Sequence, residues 1–330
     1  MNSSVLGHEW ALELLQHQLA NGQARHAYLF TGPEGVGRRT LALRFAQAIN
    51  CTKSPEPGIA CGKCPMCLHI EKMQQLDLSI VQAETKGTMI KVDQIRDLQH
   101  KLSLSPYEAR FRIALLLNFE AANANAQNAL LKTLEEAPDK VILLITASSE
   151  EELLPTIVSR CEQIRLRPLP VPKLVTVLNE QFQISEPQAS QVAHLAGGRM
   201  GAALKMLEDP SEKDQHHERV EMLFELLGCN LRQRFGKADS MTRASDQAQA
   251  RARLRGYIET WISVWRDALH LLSGSDTPLT NLAQQQEIQN LADSKSSAEI
   301  LAHLHMLEES LTMLDQNVNP RLLLENILLD

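Results

Sequence analysis

The chain has 330 residues, 44% of them hydrophobic, which suits two or three cores of ordinary size rather than one. Its 33 Lys and Arg against 40 Asp and Glu give a formal net charge of -7, which excludes a protein that coats nucleic acid over its whole surface. MNSSVLGHEW at the start carries no basic-then-apolar leader, and no later stretch reaches ~18 uninterrupted apolar residues. A cytoplasmic chain without a membrane span is expected.

Trp10, Leu14, Leu15 and Leu19 recur at helical spacing over 9–21. His26 to Phe30 is a short apolar run, read as a strand, and it ends at a glycine turn from Gly32. Leu41, Leu43, Phe45, Ala46 and Ile49 then continue as a helix. After a cysteine-bearing segment come an expected strand at 78–81 and a helix at 92–102. Arg112 to Leu117 reads as a buried strand, being short and apolar. The helix after it, from about 122 to 136, is stopped by Pro138 and buries Ala126, Leu130, Leu131 and Leu134. Strands at 141–146 and 164–166 complete an alternation that predicts a parallel, doubly wound sheet.

Pro168, Pro170 and Pro172 crowd one connection, so the first domain is set at 1–167. Beyond it no strand is expected. A small helical unit spans 168–208, and a longer helical domain spans 209–330 with helices near 218–227, 244–272 and 297–314. Trp261, Trp265 and Leu269 fall on one helix face and are expected to be buried. His216, His217 and the other histidines form no ligand pattern and are expected at the surface.

Residues 32–40, GPEGVGRRT, follow a strand and open a helix, the setting of a phosphate-binding loop G-x-x-x-x-G-K-[ST]. In that motif backbone N–H groups cradle phosphates, the lysine reaches the terminal phosphates and the hydroxyl binds magnesium. Gly32, Gly35 and Gly37 keep the turn. Arg38 stands at the lysine position and Arg39 at the hydroxyl position, which leaves Thr40 one residue late. A planar guanidinium does not replace a compact ammonium between phosphates. At the end of the 112–117 strand, where a magnesium carboxylate belongs, the chain has Asn118, with Glu120 two residues on. Two separate parts of the machinery are thus altered. The loop is read as a glycine turn kept for packing, with residual nucleotide binding as the other reading.

Cys51, Cys61, Cys64 and Cys67 supply four thiolates within 17 residues, in a turn-rich segment with Pro55, Pro57, Gly58, Gly62 and Pro65. In a reducing compartment this spacing points to a tetrahedral, structural zinc. An iron-sulfur cluster and free or disulfide-bonded thiols are the rivals. Cys161 and Cys229 lie far away and read as buried small hydrophobes. Arg160 ends a short apolar helix pattern, where the simple role is a cation complementing the helix dipole. Glu135 and Glu136 read as a solvated helix end.

HAYLFTGPEGVGRRTLALRFAQAINC, the CGKCPMC cluster, NALLKTLEEAP and LLPTIVSRC occur in the order found in clamp-loader subunits of the AAA+ ATPase class, which the first 165 residues resemble strongly. The likeness runs more weakly through AGGRMGAAL and YIETWISVWRDAL to NPRLLLENILL. It implies an AAA+ P-loop NTPase-like domain with the zinc insertion at 51–67, a helical lid and an all-α collar. It also implies a hetero-pentameric ring with ATPase and delta-like partner subunits, which opens a sliding clamp and places it on primer-template DNA. Arg160 matches the Ser-Arg-Cys arginine that the family presents to ATP on a neighbouring subunit, an arginine finger acting in trans. The lid arginine with which motor subunits touch their own nucleotide aligns with Gly201, and Arg199 is out of step. The resemblance therefore implies a subunit that hydrolyses no ATP itself. An ATPase in which Arg38 replaces lysine and Thr40 reaches the metal is one alternative, and a zinc-dependent DNA-binding protein with a vestigial ATPase fold is another.

Overall fold

The computed structural model describes residues 6–84, 88–243, 246–316 and 318–329. The chain divides into two compact units. Met1–Leu169 with Arg199–Ala202 make the first, and Pro170–Gly198 with Ala203–Asp330 the second. The first break falls inside the cluster of three prolines.

In the first unit, five parallel strands lie in the order β2 (Leu78–Val81), β3 (Arg112–Leu116), β4 (Val141–Ala147), β1 (Ala27–Thr31), β5 (Glu162–Arg165). The strands β1, β3 and β4 are buried along their whole length, because helices cover both faces of a parallel sheet. Side chains alternate between those faces. Tyr28 and Phe30 pack with Leu115 and Leu144 against α1 (Glu9–Ala20), α2 (Arg38–Asn50) and α3 (Pro65–Glu71). Leu29 packs with Leu116, Leu143 and Ile145 against α4 (Val92–Leu102) and α5 (Ala124–Glu135). Tyr28 and Phe45 meet edge to face at 4.7 Å, which links β1 to the middle of α2. The short helix α6 (Pro155–Val158) follows β4 and precedes β5.

The second unit is helical throughout: α7 (Val171–Phe182), α8 (Glu186–Leu195), the remainder of α9 (Met200–Glu208), α10 (Ser211–Leu227), α11 (Leu231–Thr242), α12 (Gln247–Ser273), α13 (Gln285–Ser294), α14 (Ser297–Asp315) and α15 (Pro320–Ile327). The long α12 is the axis of its core, with Trp261 and Trp265 buried and Leu269 half-buried. Residues 244 and 245, the expected start of that helix, lie outside the described residues. The histidines are not all at the surface. His216 is half-buried, and its Nε2 lies 2.7 Å from Asn281 Oδ1. Asn281 is in turn held by the buried carboxylate of Asp267, which accepts its backbone N–H and its side-chain N–H. No helix among the described residues is long and apolar enough to cross a membrane.

The β2 edge of the sheet is fixed by one buried charge. Asp77 accepts hydrogen bonds from the backbone N–H groups of Tyr107, Glu108 and Ala109 at 2.8–2.9 Å and pairs with Arg112 at 3.0 Å. Burial opposes its charge, but these donors outweigh burial and hold its carboxyl below the usual carboxylate range. Because the folded-state pKa lies under the unfolded one, the stabilisation is complete above the unfolded value and is lost as pH falls through the folded value. Asp77→Asn is expected to lower the unfolding free energy by about 3 kcal/mol at pH 7. In denaturant titrations the gap between the two proteins should shrink as pH drops below the ordinary range for Asp.

Candidate functional site

The loop between β1 and α2 begins where the strand runs out at its carboxyl end, the end at which parallel sheets bind ligands. Arg38 opens α2 and turns inward, leaving it only 7% exposed. Its Nη2 donates to Asn118 Oδ1 at 3.2 Å, and its Nη1 lies 3.8 Å from Glu120 Oε1. Asn118 adopts the left-handed backbone conformation that Asn tolerates, and Thr146 Oγ1 in β4 accepts its N–H. The altered loop and the altered strand end are therefore not separate losses, since the arginine of one is bound to the asparagine of the other. Burial lowers the Arg38 pKa and raises that of Glu120, with each charge partly offsetting the effect on its partner. Arg38 Nη1 has no hydrogen-bond partner among the described residues, so the pairing is imperfect. Arg39 and Thr40 are exposed, and Arg39 Nη2 reaches Met73 Sδ at 3.4 Å. A hydroxyl carried into the loop by a shifted Thr40 has no counterpart in this arrangement.

The loop is also held from outside. Gly201 N donates to Gly35 O at 2.8 Å, and Arg199 Nη1 to Glu34 O at 3.3 Å. A Cβ on Gly201 would fall 2.8 Å from that Gly35 oxygen, so the residue standing where a lid arginine would align is one that has to lack a side chain. A Cβ on Gly35, at φ +82, would fall 3.0 Å from Ala202. On the other flank His8 is buried, and its Nε2 lies 2.9 Å from Val36 O. Sequence reasoning assigned His8 to the surface, because one histidine before a helix carries no pattern.

Cys51, Cys61, Cys64 and Cys67 converge, with all four sulfur atoms within 4.8 Å of one another. The Cys51–Cys64 and Cys61–Cys67 separations are 4.0 Å. These distances are far beyond a disulfide bond and close to the ~3.8 Å edge of a tetrahedron with Zn–S bonds of about 2.3 Å. A cluster carrying its own sulfides would hold the cysteines farther apart. Backbone N–H groups of Cys61, Cys64 and Cys67 donate to Cys51, Cys61 and Cys64 sulfur at 3.3–3.4 Å, which favours thiolates. Burial opposes the charge on Cys64, but the hydrogen bonds from Cys67 and Thr52 prevail and bring its pKa down to about 6. The donor set fits one tetrahedral soft-ligand cation with no open position. The other two cysteines, Cys161 and Cys229, are half-buried rather than fully buried, and burial pushes the Cys161 thiol up to about 12.

Arg160 follows α6 and is engaged by neither the loop nor the cysteines. Its Nη1 donates to Thr156 O at 2.9 Å and its Nη2 to Glu135 Oε1 at 2.7 Å. Glu135 is thus a partner and not merely a solvated helix end; the spacing of 25 residues left no local signal for the pair. The same helix α5 holds the start of α6, because Gln127 Oε1 accepts Leu154 N–H at 2.9 Å.

A five-stranded parallel sheet in the order β2-β3-β4-β1-β5, with a glycine loop and helix after its first strand and helices beyond, defines a P-loop NTPase-like α/β domain followed by an all-helical part. Residues 7–170 match the family model described as "DNA polymerase III, delta subunit", and residues 214–330 the one described as "DNA polymerase III, delta subunit, C terminal". DNA polymerase III subunit tau of Escherichia coli is 36% identical over 212 residues, covering 62% of this chain and 32% of that protein. DNA polymerase III subunit delta' of Pseudomonas aeruginosa is 37% identical over 161 residues, covering 49% of this chain and 48% of that protein. The chain thus spans about a third of the tau relative and about half of the delta' relative. The two models together cover most of the chain, which belongs to the DNA polymerase III delta-subunit family that they describe.

Two outcomes follow from the geometry. Cys64→Ser should abolish retention of one zinc per chain, read by metal analysis of the purified protein, and a brown, visibly absorbing wild type would contradict zinc. Arg38→Ala, which leaves the Glu120 carboxylate without its cation, should lower the unfolding free energy by about 1–3 kcal/mol in urea titrations.

Proposed function

We propose that this chain is the delta'-type, non-hydrolysing subunit of a DNA polymerase III clamp loader, and that it lends Arg160 to ATP held by a neighbouring subunit. The observation that carries the first half is Arg38. A working phosphate loop offers a cation to the nucleotide, whereas this one directs its cation inward onto Asn118 and beside Glu120. Binding magnesium-ATP in a reactive pose would require that arrangement to break and a metal carboxylate to come from elsewhere. Gly32, Gly35 and Gly37 keep the turn, Gly201 supplies no cation of its own, and the neighbouring Arg199 guanidinium is turned onto the Glu34 carbonyl.

For the second half, the support is that Arg160 is partly exposed, 35% by side chain, and is oriented by partners remote from its own loop. A fixed guanidinium of this kind stabilises charge that develops on a transferred phosphoryl group when a neighbouring subunit presents it. The partners in this reading are ATPase and delta-like subunits in a hetero-pentameric ring, with the sliding clamp and primer-template DNA engaged by the assembly. Residues 1–167, 168–208 and 209–330 act as the ATPase-like domain, lid and collar. The four cysteines hold structural zinc, which secures the 51–67 segment and takes no part in chemistry.

The rival reading, an active motor subunit, separates cleanly in experiment. The purified chain should release no phosphate from ATP above background. In a ring reconstituted with its ATPase partners, Arg160→Ala should reduce DNA-stimulated hydrolysis by about 10³-fold at the one site it serves while the ring still assembles. Turnover by the isolated chain, or unchanged hydrolysis at that site in the variant ring, would contradict the proposal.

A further inference from the structure

We infer that Glu135 is a positioning residue for Arg160, holding its guanidinium in the orientation from which it meets a neighbour's phosphate. The inference rests on the proposed role of Arg160. An arginine on a short helix end has several rotatable bonds, and leaving it loose would cost rotamer entropy each time it engaged a ligand. Here two of the guanidinium nitrogens are fixed from different elements, Nη1 by the Thr156 carbonyl of α6 and Nη2 by the Glu135 carboxylate of α5. One planar group held at two nitrogens has its plane set, and its remaining N–H donors stay available for phosphate oxygens.

The carboxylate is itself mounted on a rigid support. Beside it, Leu134 O lies 2.9 Å from His26 Nε2, just before β1, which ties the end of α5 to the sheet. One turn earlier, Gln99 Nε2 in α4 donates to Ala129 O at 2.8 Å and to Thr133 Oγ1 at 3.0 Å. Near the other end of α5, Gln127 accepts the N–H of Leu154, the residue that leads into α6. Helix α5 therefore grips the Arg160 segment at its beginning through Gln127 and at its tip through Glu135. The ion pair is half-exposed, with side-chain exposures of 35% and 50%, so its worth lies in orientation rather than in stability.

The test uses the reconstituted ring with wild type, Glu135→Ala, Glu135→Gln, Arg160→Ala and the double variant Glu135→Ala/Arg160→Ala. The readouts are assembly by gel filtration, and kcat and KM for ATP at the one site that Arg160 serves, with primed DNA present. Glu135→Ala is expected to lower kcat about fivefold with KM and assembly unchanged. Glu135→Gln, which keeps an acceptor oxygen at the same reach, should recover part of that rate. The double variant should be no slower than Arg160→Ala alone. A normal or raised kcat for Glu135→Ala, beside a slow Arg160→Ala ring, would overturn the inference while leaving the role of Arg160 standing. Further slowing in the double variant, or a loss that appears only in KM or assembly, would also overturn it. A normal rate for Arg160→Ala would remove the proposed role of Arg160 and this inference with it.

Discussion

One buried guanidinium organises the amino-terminal unit. Arg38 sits at the helix start where a phosphate loop keeps its lysine, but burial forces it to find partners inside the protein. It takes them from the end of β3, where Asn118 accepts and Glu120 supplies a nearby charge. The sheet brings these residues together because the loop after β1 and the loop after β3 emerge at the same carboxyl end of the sheet, on either side of β4. An arginine facing inward satisfies the charge of its own pocket, which is the opposite of what a nucleotide site requires.

The loop is also pinned from outside. The carbonyls of Glu34, Gly35 and Val36 are engaged by Arg199, Gly201 and His8, which fixes the turn. Gly201 allows the first turn of α9 to lie against the loop backbone at a distance that excludes any side chain. On the other face of the sheet, α5 runs from the Arg38 pocket to Arg160. It begins after the Asn118–Ala122 turn, packs Leu130 and Leu134 into the core and ends at Glu135, beside Arg160. Asn118 and Glu120, which receive Arg38, and Glu135, which meets Arg160, thus belong to one continuous stretch of backbone.

Much of this was legible in the sequence. The apolar runs at 26–30, 112–117 and 141–146 became β1, β3 and β4 because a strand buried on both faces has to be continuously apolar. The spacing of the four cysteines announced a site whose sulfur atoms do converge. Less visible were interactions between residues distant in sequence. Arg38 and Asn118 were each recognisable as departures, yet their contact spans 80 residues and depends on strand order. Glu135 looked like a helix end in water because charge pattern reports only local neighbours, and its partner lies 25 residues on. The burial of His8 and the half-burial of His216 were missed for the same reason, since each is held by a distant carbonyl or amide that no local pattern reveals.

The most direct test of the central claim is a high-resolution structure of the assembled ring with a non-hydrolysable ATP analogue and magnesium. The account predicts that the loop of this chain holds no nucleotide, that Arg38 remains bound to Asn118, and that the Arg160 guanidinium lies about 3 Å from the γ-phosphate carried by the adjacent subunit. Magnesium and nucleotide seated in the 32–40 loop with Arg38 swung away from Asn118, or Arg160 turned from the neighbour's phosphates, would contradict it.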